Sequence, residues 1–194
     1  MGGGARWSDR SERGSGTSLG EESLDRSLAQ GVNPDLIYLV DLPGFELVDM
    51  SVGVVGDDGF GADYLSSRGT SEGRRVQLRI HRETFGDALC ASTRLSGSVP
   101  WTVPLRWERD EVGWYRLGGG RHEYAVLRGA DHLIRLNCPV GDADRALLKA
   151  AVAGAWHVSW KGPRTPPPRD PPVRRGDLPS FGGGPPIKRR GVGG

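Results

Sequence analysis

Arg75-Val76-Gln77-Leu78-Arg79-Ile80-His81 alternates without a break. Val76, Leu78 and Ile80 point one way; Gln77, Arg79 and His81 point the other. A period of two with one apolar side is the pattern of a half-buried antiparallel strand. Working upstream, Phe60 to Leu65 forms the preceding strand, and Asp57-Asp58-Gly59 marks the turn before it. Phe45 to Val48 and Ser51 to Val55 are shorter runs, and Leu36 to Val40 is continuously apolar. The first element is a helix capped at Thr17 or Ser18. Glu21 and Glu22 suit its positive end, Leu24 and Leu28 share one face, Gly31 stops it and Pro34 bars continuation.

Downstream, Thr84 to Cys90 reads as a short helix with Phe85, Ala88 and Leu89 inward. Val103, Leu105 and Trp107 then alternate with polar neighbours. A turn at Asp110 to Gly113 leads to Trp114–Leu117, and Gly118-Gly119-Gly120 breaks that strand in a hairpin loop. His122 to Leu127 and His132 to Asn137 form a hairpin through Gly129. Asp142 caps a final helix, Ala143 to Ala155, with Leu147, Leu148, Ala151, Val152 and Ala155 as its stripe. The expected class is α+β: a mainly antiparallel sheet with helices packed on one face. Tyr64…Arg68-Gly69…Val76–Ile80…Gly86-Asp87-Ala88 parallels Tyr124…Arg128-Gly129…Leu133–Leu136…Gly141-Asp142-Ala143, which suggests a degenerate hairpin-helix duplication.

The ends differ in composition. Residues 1–17 are Gly, Ser and charge, and are expected to be disordered. Residues 158–194 are rich in Pro, Gly and Arg, with nine of the chain's 14 prolines after Trp160, and are expected to be disordered too. The single domain is therefore expected over residues 18–157. From Ser159 onward eight basic residues face two acidic ones, whereas residues 18–157 carry 15 basic and 20 acidic residues. A net acidic core argues against nucleic-acid binding through the domain, since phosphates demand a basic surface. No apolar h-region follows Met1, and no run approaches the roughly 18 apolar residues of a membrane span. The expectation is a cytoplasmic protein with Cys90 and Cys138 as free, buried thiols.

Motifs for chemistry fail on context. Val40-Asp41-Leu42-Pro43-Gly44 resembles the DLPG switch sequence of dynamin-like GTPases, whose Asp serves magnesium and whose Gly amide meets the γ-phosphate. That family also needs an upstream G-x-x-x-x-G-K-S/T loop. This chain has none, so Pro43-Gly44 reads as a turn. Gly118-Gly119-Gly120 precedes a strand rather than a helix N-terminus, which does not suit a phosphate loop. The four histidines, His81, His122, His132 and His157, lie outside zinc spacing. There is no G-x-S-x-G elbow, and Cys90 sits among apolar neighbours. No cofactor and no metal is expected.

Gly113-Trp114-Tyr115-Arg116, Gly120 to Tyr124, His132 to Leu136 and Asp142 to Ala155 together resemble uncharacterised small α+β proteins of high-GC actinobacteria. The likeness covers about half the domain and implies no activity. What remains is a concentration of aromatic and guanidinium groups in the second half, the mixture that interfaces favour. Trp114, Tyr115, Arg121 and His122 are the candidate binding residues. The expected function is a non-enzymatic interaction or structural domain with a protein partner. The alternative is a small hydrolase or ligand-binding enzyme using His122 or His132 in a sheet pocket. A third route is adaptor binding through the proline-rich tail.

Overall fold

A computed structural model describes residues 18–66, 73–95 and 105–159. The expected tails lie outside the described residues, apart from Val158 and Ser159; so do Gly69, Trp101 and Val103. In chain order the elements are α1 (Glu21–Ala29), β1 (Tyr38–Leu39), β2 (Phe45–Leu47), β3 (Gly53–Val55), β4 (Gly59–Ser66), β5 (Arg75–Arg82), α2 (Asp87–Ser92), β6 (Arg106–Arg109), β7 (Trp114–Gly118), β8 (Arg121–Arg128), β9 (His132–Pro139), α3 (Arg145–Ala153) and β10 (Trp156–His157). The class is α+β.

Eight strands form one antiparallel sheet, ordered β2-β4-β5-β9-β8-β7-β6, with β3 sharing the outer edge of β4 beside β2. β1 and β10 pair separately, Tyr38 opposite His157 and Leu39 opposite Trp156. Val158 extends that contact by donating its amide to the Ile37 carbonyl at 2.8 Å.

The alternation in β5 sorts the sheet into two faces. Val76, Leu78 and Ile80 are fully buried, as are Phe60, Ala62 and Tyr64 of β4 and Ile134 and Leu136 of β9. They meet Leu36, Ile37, Leu39, Val40 and Leu42, and the α3 stripe of Leu148, Ala151 and Val152. α1 closes this side with Leu24 and Leu28, while Ser27 turns its hydroxyl onto the Ser23 carbonyl at 2.6 Å. α2 lies over the other face. Its Cys90 and the preceding Phe85 pack with Trp114, Ala125 and Leu133 in a smaller cluster. So two of the three described helices share the main core and the third does not.

The two hairpins meet at β5 and β9, where Leu78 faces Leu136, Arg79 faces Arg135 and Ile80 faces Ile134. A local two-fold axis at the Arg79–Arg135 pair relates the strands. It stops there: α2 and α3 lie on opposite faces, whereas an axis normal to an antiparallel sheet would leave them on the same one. Only the hairpins carry the internal likeness expected for a hairpin-helix repeat.

Caps shift from the sequence expectation. α1 starts after Gly20 with no side-chain cap. Asp144, not Asp142, caps α3 by accepting the Leu147 amide at 2.7 Å. Asp142 instead accepts the Arg75 amide at 2.9 Å, tying the start of β5 to the loop before α3. The β7–β8 connection is a two-residue turn, Gly119 and Gly120, both at positive φ (57° and 74°). That backbone matches strand twist and favours glycine at both positions. No described helix is long and apolar enough to cross a membrane.

Candidate functional site

The face opposite the main core is polar across five strands. In register, Asp63 of β4 lies beside Gln77 of β5, then Asn137 of β9, Glu123 of β8 and Arg116 of β7. The next row holds Gly61, Arg79, Arg135, Ala125 and Trp114. α2 and the residues after it cover the Trp114–Ala125 and Arg116–Glu123 ends of these rows.

The rows are knitted by guanidinium groups. Asp63 receives Arg75 at 2.6 Å and Arg79 at 3.4 Å. Arg121 donates Nε to Asn137 Oδ1 at 2.9 Å and Nη2 to the same oxygen, and reaches Gln77 Oε1 at 3.4 Å. Arg135 is 8% exposed, pairs with Glu83 at 2.8 Å and stacks 5.2 Å from the Phe85 ring centroid. Arg116 is wholly buried against Glu123 and donates to the carbonyls of Cys90, Thr93 and Arg94.

At one end of this face a cavity of about 330 Å³ opens between the β3–β4 turn and the end of β5. Val55 to Gly59 form one wall; His81, Arg82, Glu83 and Arg135 form the other. Burial, then Arg135, lowers the His81 pKa, which Glu83 and Asp58 oppose, so its imidazole is neutral at pH 7. A smaller cavity of about 210 Å³ lies between Val48, Ser51, Asp63, Leu65 and Arg75.

The residues singled out from sequence divide between the faces, because alternation separates neighbours. Tyr115 and His122 lie on the core face and are brought together: Tyr115 Oη and His122 Nδ1 are 3.0 Å apart. His122 Nε2 is in turn 3.0 Å from Cys138 Sγ. Burial lowers the His122 pKa and pushes the Cys138 thiol up to about 11. A neutral thiol, a neutral imidazole and a phenol therefore form a hydrogen-bonded chain inside the core, where a nucleophile would need an ionised sulfur. Tyr115 also lies under Arg145 of α3, 4.4 Å from ring centroid to guanidinium carbon.

Trp114 and Arg121 lie on the polar face with the Arg116–Glu123 pair between them. Trp114 is buried, donates Nε1 to Asp87 Oδ1 at 2.7 Å, and meets Phe85 edge-on at 5.1 Å. His132 is not near His122. It pairs with Arg128 at the far end of the β8–β9 ladder and bonds Tyr38 Oη at 3.1 Å. Cys90 and Cys138 are both free and buried, on opposite faces of the sheet. Among the described residues no cluster of three or more His, Cys, Asp or Glu is placed to hold a metal.

Sequence reasoning missed His81, Arg135, Asp63 and Asn137 as a group. The signal was the polar half of each alternating strand, but placing those halves in one row needs the register. No protein family, curated protein or solved structure matches this chain.

Proposed function

We propose that this chain is a non-enzymatic interaction domain that binds a partner protein across the polar face of its sheet. One observation carries the reading: Asp63, Gln77, Arg79 and Arg121 are partly exposed polar side chains gathered on one face of β4, β5 and β8 and joined through the buried Asn137. Polar side chains that keep part of their surface in water can meet another molecule. The arginines and amides of this face present forked donors and acceptors at fixed spacing, which gives specificity more than raw affinity. The buried thiols belong with the same proposal, since two unpaired cysteines suit a reducing cytoplasm.

The test is affinity capture with the purified chain and an Arg79→Glu/Arg121→Glu version, followed by binding measurements on the recovered partner. Capture lost by a version that stays folded at the assay temperature supports the reading. Undiminished binding by the reversed surface rejects it. A second reading, a ligand-binding enzyme using a histidine in a sheet pocket, is favoured by the cavity beside His81 rather than by His122 or His132.

A further inference from the structure

We infer that the basic segment after Ser159 docks on the outer face of α1 and the neighbouring Asp49–Ser51 turn, with Lys188-Arg189-Arg190 as its charged anchor. That surface lies on the α1 side of the sheet, away from Gln77, Arg79 and Arg121, so the inference does not depend on the proposed protein interface.

Charge is divided unevenly along the chain. Residues 18–66 hold ten Asp or Glu and one base, Arg26, whereas from Ser159 onward eight bases face two acids. The second half of the domain largely neutralises itself, since Arg82, Arg109, Arg116, Arg135, Arg145 and Lys149 are each paired with a carboxylate. Glu21, Glu22, Asp25 and Asp49 are exposed and enter no ion pair with a described residue. The positive end of α1 accounts for Glu21 and Glu22 in part. Asp25 and Asp49 lie beyond its first turn.

The fold brings these acids together. Arg26 Nη2 donates to the Asp49 carbonyl at 2.7 Å, and Gln30 Oε1 accepts the Val54 amide at 3.4 Å, so α1 lies along the turn and β3. Glu22, Arg26 and Gln30 are four residues apart and share the stripe nearest that edge. Glu21, Asp25 and Ala29 form the next stripe, exposed throughout. Met50, beside Asp49, is 83% exposed, and Val54 is exposed as well. Apolar side chains among unpaired carboxylates complement a segment that joins apolar residues to cations, as Pro186-Ile187-Lys188-Arg189-Arg190 does.

The tether selects this occupant over a free basic partner. Val158 donates its amide to the Ile37 carbonyl at 2.8 Å and His157 Nε2 bonds the Pro34 carbonyl at 3.0 Å, so the segment leaves the domain beside the stretch that follows α1. Twenty-nine residues lead from Ser159 to Lys188, against the nine residues of α1. At about 3.1 Å per extended residue the segment spans that helix several times over. A tethered ligand meets its surface at an effective concentration on the order of millimolar, where weak, screened ion pairs suffice.

The experiment follows backbone amides of the full chain by NMR. Lys188→Glu/Arg189→Glu/Arg190→Glu, in a segment outside the core, should shift the signals of Asp25, Asp49 and Met50 and leave those of β6 in place. Raising salt to about 1 M, where the Debye length is about 3 Å, should move the parent signals the same way. Glu22→Lys/Asp25→Lys/Asp49→Lys should lower the heteronuclear NOE of residues 187–190, and combining both reversals should restore it. Unmoved signals at residues 25, 49 and 50 after the tail reversal would overturn the inference. Shifts that vary with protein concentration would overturn it too, by placing the segment on a second copy.

Discussion

Arg116 and Glu123 face each other across β7 and β8, 2.7 Å apart, with both side chains wholly excluded from water. The guanidinium also gathers three carbonyls from the end of α2 and the residues after it, so the pair fastens that segment to the sheet. One carboxylate oxygen, Glu123 Oε2, has no partner among the described residues. Removing one member leaves a buried charge alone, which costs about 3–5 kcal/mol, whereas an apolar pair of similar volume is often neutral. Glu123→Ala should therefore lower the urea midpoint strongly. Arg116→Met/Glu123→Leu should recover part of that loss while freeing the residues around Thr93, seen as faster amide exchange there.

Trp114 is a stability residue first. Trp114→Ala should cost about 3–5 kcal/mol by emptying the cluster with Phe85 and Leu133. Trp114→Phe should cost less, chiefly the Nε1 bond to Asp87, about 1 kcal/mol. Thermal melts separate the two. Arg121→Ala removes the donor to the buried Asn137 Oδ1 and should cost about 1–3 kcal/mol, a smaller loss than that of Trp114→Ala.

The Asp110 carboxyl ties three elements together. Burial would raise its pKa, but bonds from the Tyr124 hydroxyl, the Val112 and Gly113 amides and Lys149 outweigh this and hold it well below the usual 3.8. A carboxylate depressed in the folded state adds stability above its unfolded pKa and loses it as pH falls through the folded one. Asp110→Asn should thus be clearly less stable than the parent at neutral pH. The gap should begin to narrow below about pH 4 and close only as pH falls through the depressed folded value, in paired denaturation curves.

The imidazoles of His122 and His81 act in the same direction as Asp110 but at higher pH. Burial lowers both His122 and His81 below 6.5, so the unfolded chain binds protons more readily than the folded one. Stability should fall as pH drops below about 6.5 and level off below the folded pKa values. His122→Gln should flatten that slope in part, and His122→Gln/His81→Gln further. An unchanged slope in the double variant would contradict the neutral assignments.

Native thiol labelling provides a further check. Cys90 and Cys138 are buried and their thiols are shifted upward by burial, so neither should react with an aromatic disulfide reagent until the chain unfolds. Labelling of Cys138 at an ordinary thiol rate in the folded protein would place it outside the core.

The sequence made the strands legible because alternation is local. Val76, Leu78 and Ile80 announce a buried side, and the Arg128–Asp131 turn announces a hairpin. Which strand neighbours which is not local, so β5 against β9 could not be read off, nor could the row from Asp63 to Arg116. The side taken by α2 was likewise hidden. Phe85 and Cys90 look equally apolar whichever face they meet, and only Leu133 and Ala125, standing out of phase with Ile134 and Val126, decide it. Treating Trp114, Tyr115, Arg121 and His122 as one surface failed to account for the pleat, which sends Trp114 and Tyr115 to opposite sides.

The pairing of β1 with β10 has a consequence for how the protein is made. Tyr38 and Leu39 emerge from the ribosome long before Trp156 and His157, and until those residues arrive the segment has no strand partner. The same delay applies to Val40, which shares the main core with Leu148, Ala151 and Val152 of α3. Sequence-distant contacts of this kind slow folding and leave apolar surface waiting. The nascent chain should therefore need protection by a holdase until its last core residues are synthesised, and a nascent chain stalled before residue 156 should stay protease-sensitive at its amino-terminal side.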